Sequence, residues 1–197
     1  MHRLKIQQVS DNAWKVYAAS FSPSPVQMKA ASSIMACKSG KLGCNVSVCA
    51  DCGHMDFHNN SCRNRNCPNC QALLKELWID RRKAEVIDAP YFHVVFTIPA
   101  QLNPLVYANQ ALLYSLLHKC SAQTLLELSA DRKFLGATPG IIQVLHTWGQ
   151  ELNFHPHIHC IVSGGGLSKD GKLRICGNGF FIPAKVLASK FRGKLLA

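Results

Sequence analysis

The 197-residue chain has no apolar run that approaches the ~20 residues a membrane span requires. It has no low-complexity tract. Its N-terminus, Met1-His2-Arg3-Leu4-Lys5-Ile6, lacks the apolar centre of a signal peptide. With 48% hydrophobic residues, these absences argue for a folded cytosolic chain with a buried core. The length suits one sizeable domain, or a small module beside a medium one. Acidic residues are scarce as well: 11 stand against 22 Lys plus Arg, for a formal net charge of +11. A four-thiolate zinc site would remove about two of those charges. The remainder is still strongly basic, and a polyanion is the natural partner.

What the chain does hold in number is cysteine. There are 10, and seven of them fall between Cys37 and Cys70. In a cytosolic protein such clustering points to metal rather than to disulfides. Cys49-Ala50-Asp51-Cys52-Gly53 and Cys67-Pro68-Asn69-Cys70 are two Cys-x-x-Cys knuckles with fourteen residues between them. Two knuckles at that separation are expected to close one tetrahedral zinc from Cys49, Cys52, Cys67 and Cys70, as in a zinc ribbon, with Cys62 as a further candidate ligand. Cys37, Cys44 and His54 read better as packing or exposed residues, and His58 is a spare ligand. So small a segment buries little, so zinc would supply its folding energy. Arg63 and Arg65, between the knuckles, suit contact with phosphate, or form a solvated face.

Around this module the expected elements are a helix over 26–37 after Ser22-Pro23-Ser24-Pro25 and an amphipathic helix over 71–88 carrying Arg81, Arg82 and Lys83. Next come a strand over 91–99, a long helix over 104–128 and a strand over 141–148. A short hairpin over 173–182 and a basic helix over 185–195 complete the chain. That order predicts an α+β fold, with helices on an antiparallel sheet. The domains read as 1–72 for a helix plus the zinc module, 73–90 for a linking helix and 91–197 for the sheet domain.

The second concentration of chemistry is His155-Pro156-His157-Ile158-His159, three histidines in five residues, followed by Cys160-Ile161-Val162-Ser163 and Gly164-Gly165-Gly166. Residues 157–162 read as a short strand that the glycines end. Residues two apart on a strand share a face, so His157 and His159 project together while Ile158 enters the core. Two neutral imidazoles so placed can hold one divalent metal, which can polarise a phosphoryl oxygen.

Several motifs in fixed order together resemble a known family. They are Ser61-Cys62-Arg63-Asn64-Arg65, Cys67-Pro68-Asn69-Cys70-Gln71, His93-Val94-Val95-Phe96-Thr97-Ile98-Pro99 and His146-Thr147-Trp148-Gly149-Gln150, then His155 to His159 and Gly164 to Gly166. Over roughly residues 25 to 195 the chain resembles the rolling-circle insertion-sequence transposases of the IS91 type, a branch of the HUH single-strand nucleases. The resemblance implies an N-terminal zinc-binding domain and an RRM-like HUH nuclease domain, here incomplete. It implies structural Zn²⁺, catalytic Mg²⁺ or Mn²⁺ on His157 and His159, and single-stranded DNA at transposon ends as partner. In such enzymes a tyrosine attacks the scissile phosphate and forms a 5′-phosphotyrosine link. Arg63, Arg65, Arg81, Arg82 and Lys83 would contact the DNA. His93, Gln150 and His155 are candidates for a third metal ligand. The setting implied is the bacterial cytoplasm, at the nucleoid.

Two features depart from the family pattern. Asn66 stands where members usually have histidine. Tyr17, Tyr91, Tyr107 and Tyr114 all precede the histidine pair, whereas the family's nucleophilic tyrosines follow it. The expectation is therefore a truncated copy that keeps zinc and DNA binding without complete strand cleavage. Two other readings compete. A zinc-ribbon nucleic-acid-binding protein would leave the histidines idle. A histidine-triad nucleotide hydrolase would use the last histidine as nucleophile without metal.

Overall fold

The computed structural model describes residues 6–177 and 182–197, and it is an α+β structure in two compact units, Met1–Val86 and Ile87–Ala197. The first unit holds helices α1 (Ile6–Ser20) and α2 (Pro25–Ala36), an antiparallel hairpin of β1 (Cys44–Val48) and β2 (Met55–Asn59), and helix α3 (Pro68–Ala84). Ser24 starts α2 with a complete capping box. Its hydroxyl accepts from Gln27 N–H, the Gln27 side chain accepts from Ser24 N–H, and Pro25 supplies a pre-set first-turn residue. α1 precedes the first helix expected from the sequence over 26–37. α3 belongs to this first unit as a whole, where the sequence suggested a separate linking helix.

The second unit is built on a four-stranded antiparallel sheet. β5 (Phe154–Leu167) pairs with β3 (Tyr91–Thr97) on one side and β4 (Thr138–Trp148) on the other, and β6 (Leu173–Ile175) pairs with the end of β5. Between β3 and β4 lie α4 (Asn103–Ala108) and α5 (Gln110–Ala130), which break at Asn109 where one continuous helix was expected. The last element is α6 (Ala184–Leu196). The second half of the hairpin expected over 173–182 falls largely outside the described residues.

β5 alternates strictly. Pro156, Ile158, Cys160 and Val162 are buried, and His155, His157, His159 and Ile161 lie on the other face. Ile158, Cys160 and Val162 pack with Phe96, Leu117, Leu125, Leu187 and Phe191 in one apolar core beneath α5 and α6. The strand does not end at the triple glycine but runs through it to Leu167. A Cβ on Gly164 would meet Cys176 and Phe92 side chains at 2.7 Å, and one on Gly166 would clash with the Thr138 carbonyl oxygen. These glycines admit close neighbours within the sheet, a use of glycine that looks in sequence like a strand end.

Candidate metal centres

Four thiols converge in the first unit: Cys37 at the end of α2, Cys62 after the hairpin, and Cys67 and Cys70 at the start of α3, with all four sulfurs within 4.8 Å of one another. Cys70 Sγ stands 3.5 Å from Cys37 Sγ and 3.6 Å from Cys62 Sγ. A zinc–sulfur bond of ~2.3 Å gives a tetrahedral edge of ~3.8 Å, so the spacing fits a four-thiolate site. The backbone is shaped to bring them together. Lys38 takes a positive φ of 54° just after Cys37, and its N–H donates to Asn60 O at 3.0 Å, tying the end of α2 to the base of the hairpin. Arg63 takes a positive φ of 53° just after Cys62, and Cys67 N–H donates to Asn64 O at 3.0 Å.

The thiols are electrostatically unequal. Burial pushes Cys62 up to about 12, with its thiol neighbours adding to the rise. Burial also raises Cys37. Cys70 meets the same burial, yet hydrogen bonds from Cys37, Cys62, the Arg63 backbone and Cys67 hold it down at about 7. Its place in the first turn of α3 favours a thiolate in the same sense. One thiol held down near neutrality beside two whose pKa is raised makes a site that a dication would complete.

The thiols that the structure gathers differ from the set expected from sequence. Cys67 and Cys70 are in the cluster, and so is Cys62, but Cys49 and Cys52 are not. The reason is the hairpin. The pairing runs from Cys44↔Asn59 at the base to Val48↔Met55 at the tip, which puts the first knuckle ~17 Å of strand away from the base. Cys49 and Cys52 are exposed at the tip, in a turn closed by Gly53 N–H to Cys49 O at 3.0 Å. Backbone N–H groups of Cys52 and Asp51 lower the Cys49 pKa there. Cys37, read as a packing cysteine, takes the vacant corner. Its signal was weak, because it lies 25 residues before Cys62 and belongs to no knuckle. Cys44, His54, His58 and Asn66 are exposed and outside the cluster.

The second centre lies on the open face of the large sheet. His157 and His159 do project together, and the residue that joins them is His146 of β4, directly opposite His157 in the register. Their ligating nitrogens lie within 4.8 Å of one another. Neither Gln150, in the β4–β5 turn, nor His155 belongs to this group, and neither does His93. His146 was hidden because cross-strand register, not local spacing, brings it to the pair. The hairpin turn after Trp148 held the information, but its length had to be known to one residue.

His157 Nδ1 stands 2.6 Å from the His155 carbonyl oxygen. A carbonyl only accepts, so Nδ1 carries the proton and the Nε2 lone pair is free. His159 Nε2 is buried and has no hydrogen-bond partner. Burial, then the neighbouring His146, His157 and His93, holds the His159 pKa below the usual imidazole value, so the ring is neutral at neutral pH. A buried, unpartnered nitrogen beside two more imidazoles fits a divalent metal in its donor chemistry. Trp148 stacks on His146, with 5.1 Å between ring centres and an 11° tilt, and half of it is exposed.

The basic residues named from sequence are distributed differently. Arg63, Arg65, Arg81 and Lys83 are exposed. Arg82 is half-buried, pairs with Glu85 at 2.7 Å and lies over the Trp78 ring. Of the tyrosines, Tyr91 accepts the Ile87 N–H, Tyr107 packs edge-on to Phe154, and Tyr114 is partly buried with its pKa raised by burial and then by Tyr107.

Fold and sites define a basic, two-unit α+β protein with a thiol cluster and a histidine cluster, each suited to a metal. Comparison with known proteins narrows the class. Residues 9–98 match the family described as "Transposase zinc-binding domain", and residues 140–197 match the one described as "Putative transposase". The chain is 46% identical over 170 residues to "Putative transposase y4qJ" of Sinorhizobium fredii, covering 86% of this chain and 43% of that protein. It is 34% identical over 148 residues to the transposase for insertion sequence element IS801 of Pseudomonas savastanoi pv. phaseolicola, covering 74% of this chain and 35% of that protein. A solved structure of the conjugative relaxase TrwC, metal-bound and in complex with oriT DNA, aligns with a TM-score of 0.44 and 17% identity over 53% of this chain and 41% of that one. The chain belongs to the IS91-type transposases with an N-terminal zinc-binding domain. It spans less than half the length of the curated relatives it matches. Among the described residues no helix is long and apolar enough to cross a membrane.

Proposed function

We propose that this chain carries the DNA-holding part of a transposase, binding single-stranded DNA at transposon ends. We further propose that its thiol cluster of Cys37, Cys62, Cys67 and Cys70 holds structural zinc, and that His146, His157 and His159 hold Mg²⁺ or Mn²⁺. The observation that carries the reading is the three-histidine group, in which the Nε2 of His159 is buried and has no hydrogen-bond partner. A divalent ion held there would supply Lewis-acid polarisation of a phosphoryl oxygen. The chain's own residues do the positioning. β4 and β5 fix three lone pairs on a rigid sheet face, and His155 O fixes the ring of His157. The net charge of +11 draws the DNA backbone, with Arg63, Arg65, Arg81 and Lys83 as exposed contacts and Arg82 held by Glu85. The joining of His146 across two strands favours a metal over the metal-free histidine-triad reading.

The test is binding and cleavage of labelled single-stranded oligonucleotides with Mn²⁺, read by gel shift, denaturing gel and mass spectrometry beside His157→Ala/His159→Ala. Salt-sensitive binding that prefers single strands to duplex is expected. A nick or covalent adduct lost in the variant would extend the reading to strand cleavage and assign a nucleophile within this chain. No preference for single strands, or no binding, overturns it.

A further inference from the structure

His93 does not belong to the three-histidine group, yet it makes a close contact with one of its members. Its Nε2 stands 2.7 Å from His159 Nδ1. The two rings lie nearly parallel, 5.0 Å apart and 16° from coplanar orientation. His93 is on β3, opposite Ile161 and two pairs along from the Val95↔His159 pair, so it reaches His159 diagonally across the sheet.

We infer that His93 is a positioning residue for the metal centre, a hydrogen-bond acceptor that fixes His159 with its Nε2 lone pair toward His146 and His157. The inference rests on the reading of these three histidines as a metal site. The chemistry follows from the donor inventory. For Nε2 of His159 to ligate, its Nδ1 must carry the proton. That N–H then needs an acceptor, and His93 Nε2 is the atom in place. His157 has the same need, and there the His155 carbonyl meets it at 2.6 Å. Two adjacent ligands are thus oriented by two different kinds of acceptor, one backbone and one side chain. Only the second is open to substitution. His93 is a poor candidate for a ligand in its own right. Its Nε2 stands 2.7 Å from Nδ1 of His159, which engages that nitrogen in a hydrogen bond and leaves the unpartnered Nε2 of His159 for a metal. Partners of this kind tune metal affinity by roughly 10–100-fold.

The experiment measures Mn²⁺ affinity of the full chain by electron paramagnetic resonance titration, for wild type, His93→Phe, His93→Gln and His157→Ala/His159→Ala. Zinc content and thermal midpoint are recorded for each. Phe keeps a flat ring and removes the acceptor; the Gln Oε1 sits near the position of Nε2 and restores one. Nitrogen-correlated NMR of the histidine rings in metal-free protein reports which nitrogen of His159 carries the proton. Expected are a loss of roughly 10–100-fold in affinity for His93→Phe, recovery to within a few-fold in His93→Gln, and a His159 ring protonated at Nδ1 in wild type but mixed in His93→Phe. Unchanged affinity in His93→Phe, or equal losses in His93→Phe and His93→Gln, overturns the inference while leaving the metal site in place. If wild type binds Mn²⁺ no better than His157→Ala/His159→Ala, the metal site itself falls, and this inference falls with it.

Discussion

The two units solve the same problem, holding ligands in place, by opposite means. In the first unit only Cys37 and Cys67 are buried among the described residues, and Phe57, Leu73, Leu74 and Trp78 stay exposed. Every buried member of the apolar core belongs to the second unit, from Phe96 to Phe191. The thiol cluster is therefore the centre of its own unit. The histidines instead stand on the outer face of a sheet whose other face is already paid for by apolar burial. The comparison teaches that one cluster should make its fold, while the other is presented by a fold that exists without it.

The sharpest break of that comparison is zinc removal. Stripping zinc with a chelator, or Cys67→Ser, should unfold the first unit, because binding at such sites is worth ~10–16 kcal/mol of folding energy in small modules. Limited proteolysis with mass spectrometry should show cuts throughout residues 6–86 and protection of 87–197. Cys49→Ser/Cys52→Ser, at the exposed hairpin tip, should leave zinc content and the protection pattern as in wild type. If the tip pair instead costs the zinc and the Cys37→Ser variant does not, the ligand set assigned from the fold is wrong.

A smaller effect comes from the other side of the comparison. Ile158 lies between His157 and His159 on β5 and is wholly buried. Ile158→Ala should cost ~2–5 kcal/mol in the second unit through lost contacts and a residual cavity. Urea unfolding followed by tryptophan fluorescence and zinc release should show the change in the second unit's transition, with zinc release unmoved. A zinc transition that shifts equally would mean the units do not fold separately.

Much of this contrast was legible in the sequence, and the misses have physical causes. Period-two alternation around Ile158 placed His157 and His159 on one face, because strand geometry ties spacing to direction. The α+β class followed from the order of periodic segments. What local spacing does not encode is which distant segments meet. His146 depends on the register of the β4–β5 hairpin, and Cys37 on the length of the β1–β2 hairpin that carries Cys49 and Cys52 away. Gly164 to Gly166 were misread because close approach in a sheet and chain termination use the same residue. His93 was a candidate ligand by type, and only the geometry brings its Nε2 to 2.7 Å from His159 Nδ1.

The smallest effect tests whether surface charge contributes to the unit that stands on its core. Glu127 of α5 meets Lys190 at 2.8 Å and Lys194 at 2.5 Å, both on α6. Hydrogen bonds from Lys190 and then Lys194 hold its carboxyl below the usual carboxylate range. The folded state therefore binds a proton less readily than the unfolded one. The contribution is fully present above the unfolded carboxyl value of about 4.3 and is lost as pH falls through the lower folded value. Glu127→Gln should lower the thermal midpoint of the second unit slightly at pH 7, and wild type and variant should converge in acid. The pairs are exposed, so salt should shrink the difference at pH 7 as well. A difference that persists in acid and in high salt would show that Glu127 acts through packing of α5 on α6. The charge would then be incidental, and the second unit would rest on its apolar core more completely than the ion pairs suggest.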